Sequence, residues 1–578
     1  MKLATKPFAL LLAVLLLCGS LVGCGLYVPE EEPEEELDPV LSTTPVPVPI
    51  DTSIPTDGKL TVSYVPDEPL NPFTSTSRDN LAVGGLLYEG LFALEENFTT
   101  APVLVQSMTT LDGRHYTLEL KSDITFHNGA PLTVADVIYS FDRARSSALF
   151  GGRLGVISGY AQRHDAQGEP LELELEITLH QTHGNLPVLL TFPIIQQDSF
   201  YQAVPPGTGP YSHVGNGATA RLERFDAHRY SDQLPVDTIY LAHITTNEQF
   251  TADFNAGLLD IVPIDPTAQG EYRLAATREV RHFESSLMDY IGFNLNRPET
   301  SRREVRLAIS HAIDRAYITD NIMRGGAVAS PLPFHPVVSY FDDQLAAEFG
   351  VDMPLAQQIL SGQVIVPRFE LPIEETDDDY DDDEPLDDTP QEPTEPNLPP
   401  RPTPADPDRA PDLDPDRDDN DRPTPQLTLL VAGGNTLRME IAVYIADSIS
   451  QLGYQVIIDE RPHHEFLEAL EDGQFDIFYG QVRLQPDFDL TQLLRGELAF
   501  GSLYQAVPQR VIDEFLASGQ SDRDQRATSM AEAVLLEAPI MVIGFRHLAV
   551  ATQRGIVSGL APTQENLFHG VVGWIVDV

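Results

Sequence analysis

The sequence predicts a mixed α/β protein built as more than one body, part of it a regular α/β unit and part α+β. Three observations lead there. The chain has 578 residues, too many for a single hydrophobic core, so two or three domains are expected. Between Leu427 and Tyr479 apolar runs of strand length alternate with helical stretches, and that alternation implies a parallel sheet with helices on its faces. From Lys59 to Ile177 strands and helices mix without a fixed repeat, the pattern of an α+β arrangement.

The amino terminus stands apart from these bodies. Lys2 and Lys6 precede the apolar run Phe8 to Leu17, which is too short to span a bilayer and reads as the core of an export signal. Its ending, Leu21-Val22-Gly23-Cys24, resembles the lipobox of bacterial prolipoproteins, which would make Cys24 the acylated first residue of the mature protein. Cys18 leaves with the signal peptide ahead of Cys24, so the only other of the 2 cysteines is committed to lipid, and no disulfide framework or thiol chemistry remains. Residues 25–57 carry a Glu run, the repeated Pro of TPVPVP and no cationic side chain, a composition that cannot bury a core and predicts an extended tether. The net charge of −52 argues against nucleic acid, whose phosphates require Lys and Arg. It argues equally against an anionic lipid surface.

In the body, Lys59 to Tyr64 alternates as a strand, Asp67 to Asp79 reads as a polar loop, and Leu81 to Phe92 as a helix running into a strand. Tyr116 to Leu120 and Leu171 to Ile177 alternate strictly, and Thr133 with Asp136 opens a helix over Val134 to Arg145. Pro205 to Tyr211 is a turn whose glycines are expected to supply backbone angles other residues resist. Arg221 to Phe225 and Thr238 to Ile244 read as strands and Asn247 to Ala256 as a helix. Tyr290, Ile291, Phe293 and Leu295 mark a buried strand closed by the turn Asn296 to Thr300. Ser301 and Glu304 have capping-box spacing, and Val305, Ala308, Ile309, Ala312, Ile313 and Ala316 then form one apolar stripe, with Arg306 on the water side and Arg302 and Arg303 opposing the helix dipole.

Residues 367–425 break the pattern. The run Asp377 to Glu384 and the Asp-Pro steps of Pro407 to Asp416 predict a disordered acidic insertion. It lacks the ligand spacing and turn glycine of a calcium loop. Beyond it come strand Leu427 to Ala432, helix Met439 to Leu452 with Gly453 at its C-cap, strand Gln455 to Ile458, helix His464 to Leu470 and strand Phe475 to Tyr479. In such sheets ligands meet the carboxyl ends of strands, which places the loop after Tyr479 at a cleft. Glu537 to Phe545 and Val571 to Val576 read as closing strands.

Enzyme motifs are absent. His463-His464-Glu465 lacks the second His one turn on that a zinc-protease helix needs, no GK[ST] phosphate loop exists, and Gly155 to Gly159 does not fit a nucleophile elbow. The expectation is a non-enzymatic protein with no cofactor and no metal.

Several stretches instead carry a resemblance. LNP at Leu70 to Pro72, ITFHNGAPLTVADVIYSFDRA at Ile124 to Ala144, GTGPY at Gly207 to Tyr211, FNAGLLDIV at Phe254 to Val262 and VRLAISHAIDR at Val305 to Arg315 lie in the order of the family 5 solute-binding proteins of ABC importers, the group of oligopeptide and dipeptide receptors. The chain is similar to that family from about Lys59 to its end, with one interruption. The resemblance implies a two-lobed fold of the periplasmic-binding-protein type, with an extra subdomain at about 80–200 in the first lobe. The first lobe would span 58–285 and the return 546–578, and the second 286–366 and 426–545. It implies an extracytoplasmic, lipid-anchored, monomeric receptor that takes up a peptide or peptide-like solute between its lobes and hands it to permease subunits. Two alternatives stay open: a different small solute, anionic or a metal chelate, and a surface sensor or adhesion lipoprotein that keeps the fold without transport.

Candidate ligand contacts follow from position. In peptide-binding relatives an Asp after the strand matching Phe475 to Tyr479 pairs with the ligand's amino terminus; here GQVRLQPDFDL, from Gly480, puts Leu484 or Gln485 in its place. Arg483 comes just before, and Asp487 and Asp489 later. Arg483 either points inward, favouring an anion, or sits on the rim in solvent. Tyr479, Gln481 and Gln485 flank it. Thr74, Ser75 and Thr76 follow LNP in a loop that faces the cleft in relatives, Asp265 follows FNAGLLDIV, and Tyr290 on the crossing strand is either core or ligand wall. Trp574, the only Trp, is expected to pack.

Overall fold

The computed structural model describes residues 60–244, 246–264, 278–370 and 424–576. All belong to one compact unit, Thr56–Val578. The expected signal segment with Cys24, the tether, Asp265 and residues 371–423 of the acidic insertion lie outside the described residues. Among the described residues no helix is long and apolar enough to cross a membrane.

Three sheets organise the unit. A seven-stranded sheet has the order Arg278–Phe283, Leu548–Gln553, Ile261–Ile264, Leu60–Tyr64, Thr238–His243, Arg221–Arg224, Tyr211–Val214. Leu60–Tyr64 runs parallel to both of its neighbours and the remaining pairs are antiparallel. A six-stranded sheet has the order Ala327–Ala329, Ile540–Arg546, Leu287–Phe293, Ile477–Arg483, Gln426–Ala432, Gln455–Arg461, and Gln426–Ala432 is parallel to the strands on either side. An antiparallel four-stranded sheet, Val105–Thr110, His115–Leu120, Pro170–Leu179, Ile157–His164, forms the additional α+β part with the helix Val134–Arg145.

The two large sheets are joined by a ribbon. Arg278–Phe283 pairs antiparallel with Leu548–Gln553, Phe283 opposite Leu548. Leu287–Phe293 pairs antiparallel with Ile540–Arg546, Met288 opposite Phe545. The chain therefore passes from one sheet to the other twice, side by side, through Glu284–Ser286 and through His547.

Local chemistry accounts for most elements. Asp136 accepts from the Thr133 N–H at 2.9 Å and from its hydroxyl at 2.6 Å, fixing the start of the helix at the expected residue. Gly453 has φ 89°, the left-handed position that ends Thr436–Ser450. The glycines of GTGPY serve differently from expectation: neither Gly207 nor Gly209 has a positive φ. Both press against the end of the helix Arg78–Leu87, where a side-chain carbon would overlap the backbone of Leu86 and Leu87. Close approach, not backbone freedom, is what requires glycine there.

The signature helix differs most. It starts at Arg303 with Arg302 as N-cap and ends at Ala312, and Ser301 Oγ donates to Pro298 O instead of closing a capping box. Arg306 does not face water. It is buried and donates to Thr300 O (2.9 Å), Ser301 O (3.0 Å), Glu537 O (2.6 Å) and Ala538 O (2.8 Å). The last two are carbonyls at the end of the helix Arg523–Glu537, which its own backbone cannot satisfy. Arg303 does the same for Leu536 O, and also holds Val366 O and Pro367 O. Arg315 donates to Val542 O at 2.7 Å and Phe349 O at 3.2 Å. Burial pulls Arg306 and Arg315 down to about 10, so both stay charged at neutral pH.

Three strand expectations also shift. The strand expected to stop at Tyr479 runs to Arg483, because Gly480–Arg483 continue the ladder against Leu287–Tyr290. Pairing with a buried central strand overrides the local preference of a Gly-Gln pair. Glu537 belongs to a helix, Ala538 turns left-handed at φ 44°, and only Ile540–Arg546 is strand. Val571–Gly573 is a single 3-10 turn before the short strand Ile575–Val576.

Arg306→Ala is expected to lower the unfolding free energy in urea by about 2–4 kcal/mol, since it strands buried carbonyls. Arg302→Ala, exposed one turn earlier, should change it by no more than about 0.5 kcal/mol.

Candidate functional site

A cavity of about 740 Å³ opens where three parts of the chain converge. One wall comes from the first lobe around the helix Arg78–Leu87 and from residues 148–153, a second from Arg483–Pro486 of the second lobe, and a third from the returning segment 563–572. The volume falls within the range of small-molecule sites. Much of the lining is apolar, with Leu81, Phe92, Phe150, Leu484 and Phe568 among its members.

The carboxylates of this cavity are already engaged. Glu89 takes Arg229 Nη1 at 3.0 Å and Nη2 at 2.5 Å, accepts from Thr208 Oγ1 at 3.1 Å and lies 3.5 Å from His228 Nε2. Burial alone would raise its pKa, but the hydrogen bonds from His228 and Arg229 hold it below the usual carboxylate range. Glu565 pairs with Arg153 Nη1 at 2.7 Å, and the same guanidinium nitrogen donates to Thr191 Oγ1 at 2.7 Å. His569 is 3.2 Å from Glu95.

Arg483 differs from these. It ends its strand on the cavity wall, keeps contact with water, and its side chain makes no hydrogen bond or ion pair with a described residue. The surrounding protein pulls its pKa below the ordinary arginine value, opposed only by the charge of Glu565.

Among the expected contacts that are described, the cavity brings together Arg483 and Gln485 and leaves the others elsewhere, while Asp265 lies outside the described residues. Pro72 of the LNP loop lines it, but Thr74, Ser75 and Thr76 do not. Thr74 and Thr76 are exposed, Thr76 donating to Glu68 at 3.4 Å, and Ser75 is buried with its N–H on Asn71 O at 3.0 Å. Tyr290 is core, packed edge-on to Phe478 at 5.7 Å. Tyr479 is buried and donates to Asp289 Oδ1 at 2.6 Å. Arg546 grips the same Asp289 through Nε at 2.6 Å and Nη2 at 3.0 Å. The Gln481 amide, turned to satisfy both of its ends, accepts from Arg546 Nε at 2.7 Å. Asp487 faces away, 3.0 Å from His183 Nε2, and Asp489 caps the next turn through Thr491 N at 2.7 Å. Trp574 is buried against Phe568, ring centres 5.9 Å apart. The partners Glu89, Arg229, Arg153 and Glu565 carry no local motif; they meet across up to 412 positions of sequence.

At the ribbon joining the sheets, Glu284 Oε2 lies 2.9 Å from His335 Nε2 and 3.2 Å from His547 Nδ1, close enough for ion pairs though not aligned as hydrogen bonds. Ser285 Oγ donates to Arg546 O at 2.6 Å. Ser286 N–H donates to Gln564 Oε1 at 2.9 Å, and its carbonyl accepts from Leu484 N at 3.0 Å.

In the comparisons, residues 99–494 match the family described as bacterial extracellular solute-binding proteins, family 5 Middle. The oligopeptide-binding protein AppA of Bacillus subtilis is 24% identical over 327 residues, 53% of this chain and 59% of that protein, so the chain spans less than two thirds of this curated relative. Among solved structures, the unliganded open form of MppA, a periplasmic murein tripeptide binding protein, superposes with a TM-score of 0.68 at 16% identity, covering 90% of this chain and 97% of its own. NikA from Brucella suis in complex with Fe(III)-EDTA superposes with a TM-score of 0.64 at 16% identity, covering 90% and 100%. These likenesses show the fold, two lobes of mixed α/β structure.

One acid-range outcome follows from the ribbon. Burial raises the Glu284 carboxyl, but the contacts with His335 and His547 outweigh it and pull it down to about 2. A depressed carboxyl contributes stability present above its unfolded value, near 4.3, and lost as pH falls through about 2. The urea midpoint of the native protein should drop more between pH 5 and pH 2.5 than that of Glu284→Gln. Equal drops would remove Glu284 from the acid response.

Proposed function

This chain belongs to the bacterial extracellular solute-binding proteins of family 5, and from that premise we propose that it is the receptor of an ABC importer. It captures a peptide or peptide-like solute between its lobes and delivers it unaltered to permease subunits. The observation that carries this reading is the cavity of about 740 Å³, walled by both lobes beside a double-stranded connection. Such a connection bends at few backbone positions, so a solute touching both walls stabilises the closed arrangement by its differential affinity. No bond in the solute needs to break. Arg483 and Gln485 are the contacts we assign to the second lobe, and the lobes divide at 285/286 and 545/546 of the sequence.

The protein works outside the cytoplasm as a monomer. We further propose that residues 1–24 direct export, that Cys24 carries the lipid and that residues 25–57 tether the receptor to the membrane surface.

Native mass spectrometry of protein purified from its own cells tests the receptor reading. A mass excess equal to a small solute, released unchanged on denaturation, is expected, together with a smaller radius of gyration in X-ray scattering when that solute is returned. Protein that carries no guest and keeps one radius across cell extracts would overturn it. For the anchor, Cys24→Ala should move the protein from the detergent-extractable membrane fraction to the soluble extracytoplasmic fraction. Unchanged fractionation would refute acylation at Cys24.

A further inference from the structure

The charges in the cavity do not cancel. Glu89 has both oxygens engaged by Arg229, and Glu565 holds Arg153 through Oε1, so the charge of each carboxylate is already offset by an arginine. Asp487 and Asp489, the nearest acidic residues along the chain from Arg483, are turned to His183 and Thr491. Arg483 remains as a guanidinium on the cavity wall that no described residue hydrogen-bonds, beside the apolar side chains of Leu484, Phe150 and Phe568 and within the field of Glu565, whose hydrogen bond goes to Arg153. The whole chain carries a net charge of −52, so a lone cation facing inward is not part of a general basic surface.

We infer that the solute is a small carboxylate with an apolar body, bound with its carboxylate on Arg483 and without a free amine at that end. The inference rests on the reading of this cavity as the solute site and narrows it. Closing the lobes removes water from Arg483, and an unpaired guanidinium in a dry site is costly. A carboxylate answers the planar fork bidentately and makes closure favourable. An ammonium there meets a like charge, and the nearby carboxylate, Glu565, is already paired with Arg153, so free-amine ends are rejected. Short peptides blocked at the amino terminus are one such class, and they fit a cavity of about 740 Å³.

The test uses the full-length purified protein and three pooled probe sets: N-acetyl dipeptides with a free carboxylate, the same N-acetyl dipeptides as amides, and dipeptide amides with a free amine. Retention is read by native mass spectrometry. The acids should be retained at least tenfold over both amide pools. Arg483→Gln should reduce the acids to the level of the amides, and Arg483→Lys should recover part of the difference. The melting temperature should be unchanged in both variants, because the Arg483 side chain bonds to no described residue. Equal retention of acids and amides, preference for the free-amine pool, or an Arg483→Gln variant that keeps its preference for acids would each overturn the inference. If all three pools pass unretained while a cell-derived guest is present, the proposed ligand class is wrong and the receptor reading stands. If the guest is absent too, both fall.

Discussion

The architecture depends on one ribbon. Two antiparallel strands leave the seven-stranded sheet together and enter the six-stranded sheet together, with Phe283 opposite Leu548 on one side and Met288 opposite Phe545 on the other. Between these pairs the ladder is replaced by side-chain ties: Ser285 to the carbonyl of Arg546, and Glu284 between His335 and His547. A ribbon of this kind resists pulling and shearing along the strands but bends across them. Ser286 adds the connection that matters for a cleft. It bonds to Leu484, on the second lobe's wall, and to Gln564, on the returning segment, so the cavity walls are tied to the bend itself.

Buried arginines hold the second lobe together around that ribbon. Arg303, Arg306 and Arg315 lie on or just after the signature helix, and all three are spent on carbonyl oxygens of distant segments. A helix that ends inside a protein leaves acceptors that water cannot reach, and a guanidinium supplies several donors at once. In Arg306 and Arg315 the charge is retained because each guanidinium nitrogen has a partner at normal distance, which offsets the desolvation that lowers these two to about 10.

How much of this was legible in the sequence depends on the range of the interaction. Features set within a few residues were readable: the Thr133–Asp136 helix start, the glycine ending at Gly453 and the alternation of strands and helices after Leu427. The role of Arg306 was not, because amphipathic reading assigns a charged residue to the solvent face, and its partners Glu537 and Ala538 stand more than 200 positions away. Gly207 and Gly209 were recognised as necessary but for the wrong physical reason, since their neighbour is the end of a helix formed more than 100 residues earlier. The cavity shows the same limit. From its place in the strand-loop motif Arg483 is open to either an inward or a rim position, and the pairs Glu89–Arg229 and Arg153–Glu565 exist only once the chain has folded.

Strand alternation explains why the Arg483 side chain stays unpaired among the described residues. Tyr479, Gln481 and Arg483 project from one face of the strand at intervals of two, with Asp289 opposite Gln481 and Leu287 opposite Arg483 on the neighbouring strand. Moving outward along this face, Asp289 accepts from Tyr479 and is gripped by Arg546, whose guanidinium also reaches Gln481. The carboxylate of that face is thereby consumed by a different arginine, one that lies at the ribbon. One step further, opposite Arg483, the neighbouring strand offers leucine, which cannot accept a hydrogen bond. A register slip of one residue would turn Arg483 to the opposite face of the sheet and Leu484 in its stead. The register that buries the Asp289 pair therefore also presents an uncommitted guanidinium to the space between the lobes.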